Sequence, residues 1–323
     1  MNTLHGKSPC CQAKIYKFGG KRKQCSLCKK TWTIRRKRRG RKAKRINQDL
    51  LAKVLGKGQK VAHLADRKGS VSPSALSQRL KKAMSAKART NKYPIGWLIL
   101  IADALWFELD NERWTLYLLA VRSTTGGLAY FLDPVLLAGR ETGEGWAEAL
   151  ASIPLGIENR LLAIVSDSFR GLCQIAKQKA WVNQRCHFHL LAQFKVQLGF
   201  WKKLPDHPVR KEIYAMVCKL LRTKEHEIEY SENLYELLIS NGCPQRYRAI
   251  GLEFLRRLPE FRSYLKYPEL HLPHTTGCLE SFNKIIRDRC KYVRTPGALR
   301  LRAIALTRIR TTITCNHINF QQN

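Results

Sequence analysis

Acidic residues are scarce in this sequence, since 24 Asp and Glu stand against 59 Lys and Arg and give a formal net charge of +35. Long apolar runs are also lacking: no stretch approaches the roughly 18 residues that a membrane-spanning helix needs. The first residues do not contain the apolar segment of a secretory signal peptide. We therefore expect a cytoplasmic protein that has no membrane partner and that binds a polyanion.

The positive charge is concentrated at the start of the chain, because residues 1–92 contain 28 Lys and Arg against only Asp49 and Asp66. A membrane-surface helix would pair such charge with a long apolar face, and residues 35–45 offer none. Contact with nucleic-acid phosphates is the favoured interpretation, and a nuclear-targeting or ribosomal-type tail is the alternative. The predicted DNA contacts in this stretch are Arg35, Arg36, Lys37, Arg38, Arg39, Arg41 and Lys42.

The 11 cysteines do not form the even, closely spaced framework of a secreted disulfide protein. Cys25-x-x-Cys28 has the spacing of half a tetrahedral zinc site. The other half is less regular, since Ser8 stands in Ser8-Pro9-Cys10-Cys11 where a first ligand is expected. Cys10 and Cys11 both bind, or His5 substitutes, or the segment is a metal-free β-hairpin. The zinc ribbon is the favoured prediction for residues 1–34.

Residues 47–92 show the apolar pattern of a helix-turn-helix. Ser72-Pro73 predicts the start of its third helix, with serine as the N-cap and proline in the first turn. Gln78 and Arg79 lie on the polar side of that helix and are candidates for contact with base edges. A basic, solvated helix of a small bundle is the alternative.

Three carboxylates lie in local sequences suited to a metal-dependent site. Asp103 interrupts the apolar run 97–107 and Asp167 ends the apolar run 161–166, so both are predicted on buried strands. Glu280 lies early in a helix, away from its apolar stripe. Two Mg²⁺ or Mn²⁺ ions that bind a phosphodiester need several carboxylate ligands, which come from different secondary-structure elements. Taken singly, each could instead be a satisfied structural residue.

Cys186-x-x-His189 follows a short strand-like run and has three interpretations. The pair could form half a zinc site, but the sequence offers no second pair nearby. Both could be buried structural residues. Alternatively, His189 supports the active site by contacting a carboxylate or a DNA phosphate.

In this order, Asp103, Asp167, Cys186-x-x-His189 and Thr275-Thr276-x-x-x-Glu280-Ser281 resemble the Mutator-type bacterial insertion-sequence transposases over residues 95–295. The sequence departs at Gly277-Cys278, where related sequences often carry Asn. The resemblance implies an α/β protein whose RNase H-like catalytic domain has a mixed five-stranded sheet, flanking helices and an all-α insertion. It also implies that Asp103, Asp167 and Glu280 are the catalytic metal ligands.

The implied domain order is a zinc ribbon (1–34), a basic linker (35–46), a helix-turn-helix (47–92), the first part of the catalytic core (93–189), the all-α insertion (190–270) and C-terminal core helices (271–323). Such an enzyme binds the inverted repeats of its element, cuts and transfers DNA strands, and joins two ends as a homodimer or larger assembly. A catalytically silent DNA-binding regulator and a cellular RNase H-like nuclease are the alternatives.

Two further predictions concern side chains near the carboxylates. Asn283, Lys284 and Arg287 follow Glu280 by one or two turns of helix and are candidates for DNA backbone contacts. Trp97, Trp106 and Trp181 are predicted to belong to the core and not to stack on bases.

Overall fold

The computed structural model describes residues 7–20, 22–33, 46–66, 72–86, 93–198 and 207–314. The chain divides into two compact units, Met1–Leu50 and Leu51–Asn323. The first contains a three-stranded antiparallel sheet in the order β1-β2-β3. Its strands are β1 (Ile15–Phe18), β2 (Arg22–Cys25) and β3 (Thr31–Thr33). Trp32 lies at the centre of β3.

The predicted helix-turn-helix region is helical. It contains α1 (Ile46–Leu51), a π-helix (Ala52–Gly56), α2 (Val61–Asp66) and α3 (Pro73–Ser85). The hydroxyl of Ser72 accepts a hydrogen bond from Ala75 N (3.2 Å), so serine caps α3 as its sequence predicts. The inner side of α3 is apolar and buried, and α3 packs against the last long helix of the chain, α14 (Pro296–Arg310).

The second unit is built on a seven-stranded sheet in the order β10-β6-β5-β4-β8-β9, with β7 also paired to β5. β4 is antiparallel to β5 and parallel to β8, and β9 is parallel to β8. The strands are β4 (Leu98–Leu109), β5 (Glu112–Ser123), β6 (Gly126–Phe131), β7 (Val135–Ala138), β8 (Leu161–Ser166), β9 (Val182–Arg185) and β10 (Thr312–Thr314).

Seven strands replace the five that were expected. β4 and β8 lie close to the apolar runs 97–107 and 161–166 that predicted buried strands, and β5, β6 and β9 complete a set of five. β7 is additional because Pro134 has no N–H to donate and separates it from β6, while the 12-residue β5 is long enough to pair with both. β10 is a three-residue strand that adds to the free edge of β6.

Helices cover one face of this sheet. They are α4 (Gly143–Ala151), α5 (Leu155–Glu158) and α6 (Arg170–Gln178). Trp146 and Leu172 pack with Leu98 and Leu100 in the core beneath them. Gly145 permits this close packing, since a β-carbon there would lie 2.1 Å from the Tyr117 hydroxyl. On the opposite face, Ile99 and its neighbours pack under Leu272.

A helical region with its own apolar core separates β9 from the returning chain. Its described helices are α7 (His187–Leu198), α8 (His207–Arg222), α9 (Glu227–Ile239), α10 (Gln245–Arg256), α11 (Leu258–Phe261) and α12 (Ser263–Lys266), followed by a 3₁₀ turn (Pro268–Leu270). The chain then enters α13 (Gly277–Cys290), which contacts β4. No described helix has the length and apolarity needed to cross a membrane.

Contacts link the helix-turn-helix region to the C-terminal helices within the second unit. Arg289 of α13 donates hydrogen bonds to the carbonyl oxygens of Leu55 (2.9 Å) and Gly56 (2.8 Å) at the end of the π-helix. The last carbonyl groups of a helix lack an N–H donor within the helix, and Arg289 supplies donors to these two. The predicted domain division at residue 92 stays a prediction, and these contacts span it.

Candidate functional site

Asp103 is a buried carboxylate near the middle of β4, with 4% of its surface exposed. Its Oδ1 accepts from Ala104 N (2.9 Å), and its Oδ2 accepts from the side-chain amide of Asn283 (2.6 Å). Burial raises the pKa of Asp103 to about 8, and the charge of Glu280 acts in the same direction. This carboxylate is therefore costly to ionise unless a cation lies beside it.

Glu280 lies in the first turn of α13, after the N-cap residue Thr276. Its Oε1 lies 2.8 Å from Nε2 of His189. Burial alone would lower the pKa of His189, whereas Cys186 and Glu280 raise it to about 11. The hydrogen bond and charge of His189 in turn lower the pKa of Glu280, against the effect of burial. The pair is therefore an imidazolium hydrogen-bonded to a carboxylate.

Asp103, His189 and Glu280 each offer a ligand atom, and these atoms all lie within 4.8 Å of one another. They come from a central strand, the helix after β9 and the helix that returns to the sheet. Carboxylates that converge from separate elements are the arrangement of a divalent-metal site, and His189, hydrogen-bonded to Glu280, orients one of them.

Asp167 follows β8, the strand beside β4, and is half-buried. Its Oδ1 accepts from Phe169 N (2.9 Å), which holds the carboxylate at the start of α6. Asp167 is outside the 4.8 Å cluster, yet its charge contributes to the raised pKa of Asp103. Asp103 and Glu280 are thus brought together, and Asp167 lies within electrostatic range of Asp103.

Cys186 joins the two helices that carry His189 and Glu280. Its buried sulfur accepts from Thr276 N (3.2 Å), and the Thr276 hydroxyl lies at the same distance. Neither of the possible metal-binding groups found among the described residues includes Cys186. The half-zinc-site interpretation therefore lacks ligands there. The structural interpretation fits Cys186, which is buried, and the supporting role fits His189, which contacts the Glu280 carboxylate.

Glu141, just before α4, is a further carboxylate that the sequence reasoning missed. It accepts a hydrogen bond from the indole of Trp146 (2.7 Å). Burial raises its pKa, with a smaller contribution from the charge of Asp167. No local sequence motif identifies Glu141, because it comes within range of the Asp167 charge only through the packing of α4 against α6.

The second cluster contains Cys10, Cys11, Cys25 and Cys28, whose sulfur atoms all lie within 4.8 Å of one another. Four zinc-bound thiolates at about 2.3 Å from the metal would stand about 3.8 Å apart, so the set fits a tetrahedral ion. Ser8 is fully buried beside it, and its hydroxyl lies 3.2 Å from Cys25 Sγ. That hydroxyl is the main cause of a Cys25 pKa lowered to about 6. His5 lies outside the described residues.

Several predictions about side-chain exposure need correction. Asn283 is not a DNA contact, because it is buried and bonded to Asp103. Trp97 and Trp106 are not core residues, since they are 55% and 50% exposed. Trp181 does pack partly buried against the core, as predicted.

The predicted DNA contacts that the structure describes all lie on its surface. They are Gln78 and Arg79 on α3, and Lys284 and Arg287 on α13. The cationic run Arg35, Arg36, Lys37, Arg38, Arg39, Arg41 and Lys42 lies outside the described residues.

No protein-family model matches the chain, and no curated protein matches it either. Solved structures do match, among them a chain from the cryoEM structure of a simian T-cell lymphotropic virus intasome in complex with the PP2A regulatory subunit B56 gamma. The two chains are 10% identical, and the match covers 64% of this chain and 67% of that one with a TM-score of 0.21. This TM-score is too low to assign a fold or a function.

Proposed function

We propose that this chain is a DNA transposase of the Mutator type, which binds the inverted repeats of an insertion sequence and catalyses DNA strand cleavage and strand transfer. One observation carries the proposal: Asp103 and Glu280, far apart in sequence, meet beside His189 with their ligand atoms within 4.8 Å. Asp167 follows the adjacent parallel strand.

Strand order supports an RNase H-like catalytic core. β4, β5 and β6 form an antiparallel meander, and β8 and β9 then add in parallel on the other side of β4. Asp103 consequently lies on β4 and Asp167 directly after the neighbouring strand β8, while the helical region from α7 to α12 interrupts the chain before Glu280. These are the positions that the sequence resemblance assigns to the three carboxylates.

The chemistry of the donor set fits divalent metal. Asp103 and Glu280 bring like charges together around a buried position, where a cation would offset both the repulsion and the desolvation. Mg²⁺ or Mn²⁺ held by Asp103, Asp167 and Glu280 would activate the attacking oxygen and stabilise the leaving oxygen of a phosphodiester.

The surrounding residues orient these carboxylates. Asn283 holds Asp103, Phe169 N holds Asp167, and His189 holds Glu280. Hydrogen bonds to metal-binding groups set their direction and strengthen metal binding. The burial of Asp103 also keeps bulk water from its side of the site.

DNA recognition is assigned to the N-terminal part of the chain. The four-cysteine cluster would bind a structural Zn²⁺, the cationic segment would contact phosphates, and exposed Gln78 and Arg79 of α3 would reach base edges in the repeats. Target DNA is the second DNA partner. Joining two element ends requires at least a dimer on DNA.

The test is cleavage of a labelled repeat-end duplex in Mg²⁺ by Asp103→Asn, Asp167→Asn and Glu280→Gln. Each amide removes one ligand charge at nearly constant size. Each should lower cleavage and strand transfer on the order of 10³-fold or more, and double substitutions should add little because the ligands act as a unit. DNA binding should persist. Glu253→Gln is the matched control, since Glu253 lies on α10 in ion pairs with Arg256 and Arg257.

Full activity in one amide variant would remove that residue from the site, and full activity in two would overturn the mechanism. A wild-type protein that binds the repeats but never cuts them would instead support a silent regulator.

A further inference from the structure

Trp106 is an exposed aromatic side chain beyond the carboxylate on β4. Half of its surface is accessible, although it belongs to an apolar run. β8 pairs with β4 only along Leu98–Ile101. From Ala102 onward, β5 is the only strand that pairs with β4 among the described residues. This edge of the sheet therefore leaves Trp106 open to a ligand.

Two arginines contact the Trp106 ring. The guanidinium carbon of Arg113, on β5, lies 5.0 Å from the ring centroid, and that of Arg287, on α13, lies 5.8 Å from it. Both distances allow cation–π attraction. Glu108 stands opposite Arg113 in the strand register. Even so, no ion pair within 4 Å is found for either arginine among the described residues, so both keep charge for an anion.

A tryptophan ring contacted by two guanidinium groups matches the chemistry of a nucleotide. Bases stack on aromatic rings without regard to sequence, and arginines bind the flanking phosphates. An apolar protein partner would instead leave two charged groups to be buried without a counter-ion. The net charge of +35 also favours a polyanionic ligand.

The position of this surface relates it to the carboxylate cluster. Asn283 meets Asp103, and one helical turn later Arg287 meets Trp106, so α13 and β4 run in the same direction through both contacts. Trp106 lies three residues after Asp103 on β4, about 10 Å along the strand, and the regular β4–β5 register places the two side chains on opposite faces of the sheet. Arg287 of α13, the helix whose Asn283 bonds to Asp103, nevertheless reaches the Trp106 ring. A nucleic-acid strand advances about 3.4 Å per nucleotide. A single strand that leaves the carboxylates past the open edge of β4 would thus need at least about three nucleotides to reach Trp106.

We propose that Trp106, Arg113 and Arg287 form a binding site for an unpaired nucleotide close to the cleavage position. This rests on the proposed function, because the carboxylate cluster sets the position of the strand. The base stacks on the indole in place of one guanidinium group, which turns to the adjacent phosphate. A paired base inside a duplex already stacks on both faces, so the site favours a frayed or overhanging end.

Fluorescence anisotropy with Ca²⁺ in place of Mg²⁺ tests the proposal on two labelled probes, a blunt duplex and the same duplex with a three-nucleotide 3′ overhang. Trp106→Ala should weaken binding of the overhang probe about 10-fold, the effect expected for one lost stacking contact, and change blunt-duplex binding less than about 2-fold. Trp106→Phe should keep most of the preference. Trp97→Ala is the matched control, because Trp97 is equally exposed at the other end of the strand.

Arg287→Gln should reduce the salt dependence of overhang binding by about one phosphate contact. Thermal unfolding checks that each variant is folded. Equal affinity of Trp106→Ala and wild type for the overhang probe would overturn the proposal, as would equal losses on both probes or an equal loss in Trp97→Ala. This binding readout does not depend on cleavage, so it separates failure of the nucleotide site from failure of the carboxylate mechanism.

Discussion

Replacing Asn283 by Leu should weaken metal binding at the carboxylate site while preserving the fold. Asn283 is 4% exposed, and its amide donates to Asp103 Oδ2 at 2.6 Å. Leucine has the same number and branching of side-chain heavy atoms but no donor, so it removes the hydrogen bond without leaving a cavity. The carboxylate of Asp103 would then be free to rotate away from the ligand position.

The size of the effect follows from the type of bond. A hydrogen bond to a charged group contributes about 1.5–3 kcal/mol, equivalent to about 10- to 150-fold in affinity. Loss of such a partner from a metal ligand typically costs about 10- to 100-fold in metal affinity or activity. We expect the Kd for Mn²⁺ to rise within this range.

Isothermal titration with Mn²⁺ measures the change without requiring DNA cleavage. Ser281→Ala is the matched control on the same helix, since Ser281 is exposed and its hydroxyl donates to the backbone oxygen of Gly277. In cleavage assays, the Mg²⁺ concentration for half-maximal rate should rise more than the maximal rate falls. A folded Asn283→Leu protein with wild-type Mn²⁺ affinity would refute the role assigned to Asn283.

Three further predictions concern the zinc cluster, the N-terminal unit and pH. The purified protein should contain about one Zn²⁺ per chain, and Cys25→Ser with Cys28→Ser should remove it; elemental analysis that finds no zinc in protein purified without chelator would exclude the cluster as a metal site. Deleting residues 1–50, which contain 17 of the 59 Lys and Arg, should leave the second unit folded and greatly reduce both DNA affinity and its salt dependence. A cut at residue 92 would also remove the carbonyl partners of Arg289, so it should lower the unfolding temperature more. The folded-state pKa of Asp103, about 8, exceeds its usual value of about 4, so the folded protein binds the extra proton between these values and should lose stability as pH rises toward 8 in metal-free buffer. The raised pKa of His189, about 11, also lowers stability as pH rises from about 6.5. In thermal unfolding from pH 6.5 to 8, the unfolding temperature of Asp103→Asn should therefore fall less steeply than that of the wild type. Equal slopes in the two proteins would contradict the pKa assigned to Asp103.

The sequence was sufficient for features that depend on local pattern. The apolar runs around Asp103 and before Asp167 predicted the central strands, and Ser72-Pro73 predicted the start of α3. Position on a helix was less informative: Asn283 lies one turn beyond Glu280, and spacing alone does not say whether that turn faces solvent or β4. Asn283 faces β4 because its side chain bonds to Asp103, a residue 180 positions earlier in the sequence.

Trp106 shows a second limit of sequence reasoning. Its run of apolar neighbours predicts burial, but burial also depends on how far the adjacent strand extends. β8 ends at Ser166 and pairs with β4 only as far as Ile101, so the same apolar run passes from a covered to an open edge. Glu141 was missed for a similar reason, because the packing of α4 against α6 brings it into range of Asp167.

The geometry explains why Cys186-x-x-His189 and Thr276-x-x-x-Glu280 belong together. Cys186 meets Thr276 where α7 and α13 begin. One helical turn further along each helix, His189 meets Glu280. A spacing of three residues on one helix and four on the other both correspond to about one turn, so the two contacts stay in register. The contact between Cys186 and Thr276 therefore fixes the position at which α13 starts. The contact between His189 and Glu280 fixes the direction of the Glu280 carboxylate. Together the two motifs place Glu280 beside Asp103.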